Sequence, residues 1–299
     1  MILQTKHKIF LASLVYHPNR WLRTILGKTD LGQFSRNGFK WELDLSEVVD
    51  FSIYLTGGFE RYLNKFIESN LSNGMIALDI GANIGAHTLT MGRSIAPEGQ
   101  AHAIEATEYA FRKLSQNIKL NPRISDHVIA HHCMLMPSSD QDIESNTPNE
   151  IHSSWPFHSR QSRHQSHQGV LKSIGTARKI SLDCLCAELD LKRLDLMKID
   201  VDGNEWDVLS GGLETLERFS PVIVMEVAPD YHQTGATKSF PNIHRLLTDL
   251  GYCFFHLDGK RLPTTAEALG NSVPDGASMN VVASHPNSRP LSFSHRPCF

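Results

Sequence analysis

No stretch of the 299 residues approaches the ~20 consecutive apolar positions that a bilayer-spanning helix needs, so an integral membrane protein is not expected. Cysteine is scarce: there are five, scattered and odd in number, which gives no disulfide framework. Cys184 and Cys186 form a C-x-C pair, but no second pair stands at zinc spacing, so a structural zinc site is not expected either. Charge of one sign is lacking as well. Lys and Arg number 29 against 32 Asp and Glu, a net charge of −3, which gives no general attraction to nucleic acid. No signal peptide is expected: Ile9 to Tyr16 follows Lys6 and Lys8, but it is short, and His17-Pro18-Asn19-Arg20 is no small-residue cleavage site. These absences point to a cytoplasmic, reducing location.

What is present suits one large domain with additions. Hydrophobic residues at 40% and charged residues at 20% are enough for a core beneath an ordinary surface. Residues 1–72 read as an N-terminal extension packed on the remainder, 73–299. Within it Trp21, Leu22, Ile25 and Leu26 recur with helical spacing beside Arg20, Arg23 and Lys28. The spacing predicts a docked amphipathic helix, with weak contact to a membrane surface as the alternative. Phe39 to Leu45 alternates apolar and polar residues, as a strand with one buried face does. After Gly57-Gly58, Phe59, Tyr62, Leu63, Phe66, Ile67 and Leu71 mark one face of a helix.

From Met75 onward the pattern becomes strand, helix, strand in repetition. Strands are predicted at Met75 to Ile80, Gln100 to Ile104, Val128 to Met136, Leu194 to Val201, Pro221 to Val227, Tyr252 to Leu257 and Met279 to Ala283. Helices are predicted from about Ala86 to Ser94 and from Tyr109 to Leu120. Such alternation implies a mostly parallel, doubly wound α/β sheet covered on both faces. One segment departs from it. Residues 138–177 are rich in Ser, His, Gln and Asn and lack an apolar period, which predicts a polar, mobile surface insertion placed to act as a lid.

The run Leu78-Asp79-Ile80-Gly81-Ala82-Asn83-Ile84-Gly85-Ala86-His87-Thr88 lies where a strand ends and a helix opens. Gly81 and Gly85 let the chain turn sharply and let a ligand approach the backbone. Asp79 ends a strand buried on both faces and needs a cation or donors as partners. Glu105 ends the next strand, about 20 residues after the turn, where a carboxylate reaches a ribose diol. That fits NAD and S-adenosylmethionine alike. The spacing is G-x-N-x-G, however, and Asp79 before the turn repels a pyrophosphate while attracting an amino-acid ammonium.

A second stretch, Asp195 to Glu205, places Lys198 and Asp200 two apart on one face of a central strand. Charges there are costly unless paired. Asp200 lies at the carboxyl end of its strand, where ligands of such sheets bind. Glu205 begins the next helix, and Glu226 ends the strand after it. Asp79, Glu105, Asp200 and Glu226 thus line one rim of the sheet. A Lys198–Asp200 structural pair with Asp202 as a cap is the alternative.

These motifs resemble the FkbM family of methyltransferases. The matching pieces are Tyr54-x-x-Gly57-x-x-Glu60, the D-I-G-A-N-I-G run from Asp79 to Gly85, Glu105, Ser181-Leu182-Asp183, K-I-D-V-D-G-x-E from Lys198 to Glu205, and Pro221 to Glu226. The resemblance covers about Phe39 to Ala283. It implies a class I, Rossmann-like methyltransferase fold, S-adenosylmethionine as donor, and O-methylation of a sugar, glycan or natural-product hydroxyl. Asp202 stands where Glu is commoner, and the insertion is not a family hallmark. The cofactor residues are then Glu60, Asp79, Gly81, Asn83, Gly85, Thr88 and Glu105. Candidate bases are Asp200, Glu205, His87 and His152. A magnesium ion held by Asp200 and Glu226 is the alternative way to acidify the acceptor. Competing readings are a binding protein that keeps the fold and an NAD-dependent sugar-modifying oxidoreductase.

Overall fold

Short apolar segments alternating with amphipathic ones fold here into a sheet with helices on both faces. The structure is a computed structural model and describes residues 5–137, 149–159, 163, 168–228, 240–274 and 277–293. The chain starts with α1 (Thr5–Ile25), a hairpin of β1 (Leu31–Arg36) and β2 (Phe39–Asp44), then α2 (Val48–Thr56) and α3 (Arg61–Asn70). The alternating part follows: β3 (Ile76–Ile80), α4 (Thr88–Ile95), β4 (Gln100–Glu105), α5 (Glu108–Lys119) and β5 (Val128–Leu135). β6 (Glu150–Ser154) and β7 (Val170–Ser173) pair with each other, and β8 (Arg178–Ile180) joins the main sheet. The chain continues through α6 (Leu182–Glu188), β9 (Leu196–Ile199), α7 (Glu205–Ser210), α8 (Leu213–Phe219) and β10 (Val222–Val227). It closes with α9 (Phe240–Asp249), β11 (Cys253–His256), α10 (Ala266–Gly270) and β12 (Met279–Ser284).

The main sheet has the order β11-β12-β10-β9-β3-β4-β5-β8. All pairs from β10 to β8 are parallel, and only β12 runs against its neighbours. From β3 the chain steps outward through β4 and β5, then returns to β9 on the other side of β3. The crevice between β3 and β9 is therefore the topological switch point, where such sheets bind ligands at their carboxyl ends. Period-two alternation separates two cores. Met197 and Ile199 of β9 pack on one face with Leu78 and Ile223, and Leu196 packs on the other with Ala77 and Val224.

The strand predictions agree with these elements to within one or two residues at most ends. One further strand was not expected: β1 pairs with β2 around a turn at Asn37 and Gly38, both with positive φ. Two expectations need correcting. First, α1 does not dock its apolar face. Tyr16 is buried, whereas Trp21, Leu22, Ile25 and Leu26 are 52–68% exposed. Second, the insertion is partly regular. β6 and β7 form an antiparallel pair, and the carboxylate of buried Glu47 holds the insertion down: Ser154 Oγ donates to it at 2.7 Å and the Trp155 amide at 2.9 Å. Residues 138–148, where the insertion begins, lie outside the described residues.

Candidate active site

A cavity of about 530 Å³ opens over the carboxyl ends of β3, β4, β9 and β10. Its floor is set by one buried ammonium. Lys198 lies opposite Asp79 in the β3–β9 register. Its Nζ donates to the Gly81 carbonyl at 3.0 Å and lies 3.4 Å from Asp79 Oδ1 and 3.5 Å from Asp200 Oδ2. Burial alone would lower this ammonium's pKa, but the charges of Asp79, Asp200 and Glu60 raise it above the ordinary lysine value. Lys198 therefore stays charged and ties the cofactor turn to β9.

The turn itself is shaped by close approach. Gly81 has φ +76, and a β-carbon there would lie 1.9 Å from the Asp200 carbonyl oxygen. No larger residue fits without parting β3 from β9. The Gly81 and Ala82 amides donate to the Ile104 carbonyl, both at 3.0 Å. Glu105 then fastens the other side. Its Oε2 accepts the Asn83 amide at 2.9 Å, and its Oε1 accepts the Thr107 amide at 2.8 Å and the Thr107 hydroxyl at 2.6 Å. A carboxylate offers about four lone-pair sites, so one on Oε2 is left to face the cavity that Glu105 lines. Burial raises the Glu105 pKa against the pull of those hydrogen bonds.

Of the expected cofactor residues, Glu60, Gly81, Asn83 and Glu105 line this cavity, and Asp79, Gly85 and Thr88 do not. Asp79 is fully buried and accepts the Thr88 hydroxyl at 2.5 Å, so the two hold each other and Lys198 rather than the cavity wall. The space left by Gly85 is taken by the core: a β-carbon there, at φ +95, would stand 3.0 Å from Leu114 of α5. Helix packing and chain reversal therefore already call for glycine here.

Of the expected bases, Asp200, His87 and His152 line the cavity, and Glu205 does not. Glu205 is buried, and its Oε1 accepts the Gly203 amide at 3.2 Å and the Val201 amide at 3.3 Å, which closes the loop leading into α7. Burial pushes its pKa up to about 7. His87 Nδ1 lies 3.0 Å from Asn64 Oδ1 and its Nε2 lies 3.5 Å from Glu60 Oε2. Asn280 Nδ2 donates to Glu60 Oε1 at 3.0 Å. Burial would raise the Glu60 pKa, but His87, Lys198 and Asn280 together bring it below the ordinary carboxylate value.

The sequence reading missed one cavity carboxylate. Asp202, at φ +51, turns in beside Asp200 and Glu226, and one oxygen from each lies within 4.8 Å of the others. Burial first, then the Asp200 charge, raises the Asp202 and Glu226 pKa values well above ordinary. The D-G dipeptide at Asp202-Gly203 was the available signal, since it favours a left-handed turn. Missed too were Ser278, which hydrogen-bonds Glu226, and Trp155, which brings the insertion onto the cavity.

A sheet wound both ways from β3, with a reversed strand, β12, between β11 and β10, has the class I methyltransferase fold. The Methyltransferase FkbM domain matches residues 79–254, more than half of the chain, which belongs to this family of S-adenosylmethionine-dependent methyltransferases. Methyltransferase sdnD of Sordaria araneosa is 26% identical over 204 residues, covering 62% of this chain and 76% of that protein. Among solved structures, M. jannaschii TYW2 in complex with AdoMet is 15% identical with a TM-score of 0.42, over 86% of this chain and 85% of that one. The FkbM methyltransferase of Methylobacillus flagellatus KT is also 15% identical with a TM-score of 0.42, over 72% of this chain and 47% of that one. Among the described residues, no helix is long and apolar enough to cross a membrane.

Proposed function

We infer that the cavity transfers a methyl group from S-adenosylmethionine to a hydroxyl oxygen of a small-molecule or glycan acceptor. The observation that carries this reading is the acidity of the wall. Five carboxyl groups line it (Glu60, Glu105, Asp200, Asp202 and Glu226), against Lys198 and Arg61. Lys198 is already shared between Asp79 and Asp200, and Asp202 and Glu226, which hold their protons tightly in the empty cavity, ionise more readily beside a cation. Such a wall attracts a cationic sulfonium and repels a pyrophosphate, which argues against NAD. The free acceptor site on Glu105 Oε2 suits a ribose hydroxyl, and Gly81 to Asn83 supply the floor beneath it.

When bound, S-adenosylmethionine supplies an electrophilic methyl group. The chain's part is to align the acceptor and take its proton as charge leaves the oxygen. Asp200, on the cavity floor beside the turn, is the base this reading prefers, with Lys198 keeping it oriented. His87, held at Nδ1 by Asn64, is the second. Oxygen is preferred as acceptor because a hydroxyl needs such a base near the transfer point. A second reading has an observation of its own: Asp200, Asp202 and Glu226 present three oxygens close enough to hold one divalent cation such as magnesium, which would polarise the acceptor.

Calorimetry with S-adenosylmethionine, S-adenosylhomocysteine and NAD tests the cofactor assignment. S-adenosylmethionine should bind more tightly than its uncharged-sulfur product, and NAD not at all. Glu105→Ala should weaken both adenosyl ligands at least about tenfold. Unchanged affinity in a folded Glu105→Ala protein would remove Glu105 from the site. Turnover on a panel of hydroxylated acceptors, with and without a chelator, separates base catalysis from the cation reading.

A further inference from the structure

Helix α1 has its sides reversed relative to an ordinary surface helix. At about 100° per residue, Ile9, Ala12, Ser13, Tyr16, Asn19 and Arg23 fall on one side, and these are the partly or fully buried positions among the described side chains. Tyr16 stacks on Phe157 at 4.2 Å and meets Phe51 edge-on at 5.4 Å, and its hydroxyl donates to Asp30 at 3.1 Å. The Arg23 guanidinium lies over the Phe34 ring at 5.4 Å. The helix is thus fixed to the body by its inner side. On the outer side Phe10, Leu11, Leu14, Val15, Trp21, Leu22 and Ile25 fall within an arc of roughly 140°, and all are 45–68% exposed. Leu26 and Leu31 extend the patch past the helix end, each 59% exposed. An apolar surface this continuous marks an interaction site.

The charge around the patch chooses the occupant. From Thr5 to Lys28 the sequence holds five basic residues, Lys6, Lys8, Arg20, Arg23 and Lys28, and no acidic one. The rest of the chain has 24 basic against 32 acidic residues. A second copy of the chain would bring the same basic stretch against itself, and the patch is one convex helix rather than a groove for another helix. A flat, anionic, apolar-cored surface satisfies both features at once.

We propose that α1 lies in the interface of an anionic lipid bilayer, with its Phe10–Ile25 face immersed among the acyl chains and the positive charge of the Thr5–Lys28 stretch drawing it to the anionic surface. Ile9, on the inner side of the same helix, lines the cavity. The helix is therefore part of the cavity's wall, about 10 Å thick. The consequence for substrate rests on the reading of the cavity as the transfer site: an acceptor carried in the bilayer, with its hydroxylated head in water, is delivered to the cavity across that one helix.

The test uses the full chain and two kinds of vesicle, phosphatidylcholine alone and an equal mixture of phosphatidylcholine and phosphatidylglycerol. The protein should sediment with the mixed vesicles and not with phosphatidylcholine alone, and less at high salt. The triple variant Leu14→Ser, Trp21→Ser, Leu22→Ser should lose vesicle affinity at least about tenfold while keeping its melting temperature, because all three side chains are exposed. Calorimetry on the same variant without lipid should give wild-type S-adenosylmethionine affinity. That readout stands apart: failure of the wild-type protein to bind the cofactor overturns the transfer-site reading and leaves the membrane proposal standing. No sedimentation with mixed vesicles overturns the membrane proposal. So does a concentration-dependent dimer in sedimentation velocity that the triple variant dissolves, since the patch would then be covered by a second copy.

Discussion

At the β3–β9 junction opposite charges are buried together, whereas at the ends of β9 and β10 three carboxyl groups stand half-buried side by side. Asp79 and Lys198 are both buried and face each other, with the Thr88 hydroxyl on Asp79 Oδ2 and the Gly81 carbonyl on Lys198 Nζ. Asp200, Asp202 and Glu226 crowd one another at the cavity wall, and two of them hold their protons more tightly than ordinary carboxyls do. In the first arrangement each charge has an opposite partner. The second costs stability in the empty cavity, and any cation that enters relieves it. On the proposed function, position along one rim separates scaffold carboxylates from those that act on a ligand. Lys198, which touches Asp79 and Asp200, stands at the boundary.

Lys198→Met breaks the paired half most severely. It leaves the Asp79 charge fully buried and unpaired, and should cost about 3–5 kcal/mol in denaturant unfolding. A loss under about 1 kcal/mol would mean that the pair contributes nothing to the scaffold. Asp200→Asn addresses the crowded half. It keeps the shape and removes one of the like charges, so turnover should fall about 100-fold or more while S-adenosylhomocysteine affinity stays. An early-melting protein with normal turnover would place Asp200 in the structural half.

Glu205 sharpens the comparison through pH. Its folded-state pKa, pushed up to about 7 by burial, exceeds the ordinary value of 4.5. Between those values the folded protein binds the proton that the unfolded chain has released, so this group's contribution to stability falls as pH rises and levels off above about 7. Glu205→Gln still accepts the Gly203 and Val201 amides and removes that penalty. It should match wild type near pH 4.5 and exceed it by roughly 1–3 kcal/mol at pH 8. Parallel stability profiles from pH 4.5 to 8 would place the ionisation elsewhere. The smallest effect is expected at Gly85. Gly85→Ala meets Leu114 at positive φ and should cost about 1 kcal/mol, with cofactor affinity unchanged by calorimetry. Selective loss of affinity would return Gly85 to the cavity.

Spacing made the frame legible. The D-I-G-A-N-I-G and K-I-D-V-D-G-x-E stretches lie on adjacent strands, as their place at strand ends implied. Strand alternation assigned Lys198 and Asp200 to one side because period two is enforced by the backbone. Side-chain directions in the connecting loops were not legible. Glu205 and Asp202 are three residues apart, yet one closes the loop and the other enters the cavity, because the positive φ at Asp202 redirects the chain. The hairpin of β1 escaped detection since Leu31, Gln33 and Ser35 form its exposed side and give no apolar alternation. The outward apolar face of α1 has a periodicity identical to that of a docked one. The Glu47 anchor of the insertion joins residues 107 and 108 positions apart, a relation that no local pattern carries.

The Lys198 ammonium has a further meaning for how the molecule comes into being. The bond from Lys198 to the Gly81 carbonyl spans 117 positions of sequence. A chain made from its N-terminus presents β3, its turn and Asp79 long before β9 exists. Until then a carboxylate destined for full burial has no cation, and the glycine turn is held on its β4 side alone. Domains fold largely as units during synthesis, so the β9 side of the turn is expected to close only after Lys198, and Asp200 just past the end of β9, have left the ribosome.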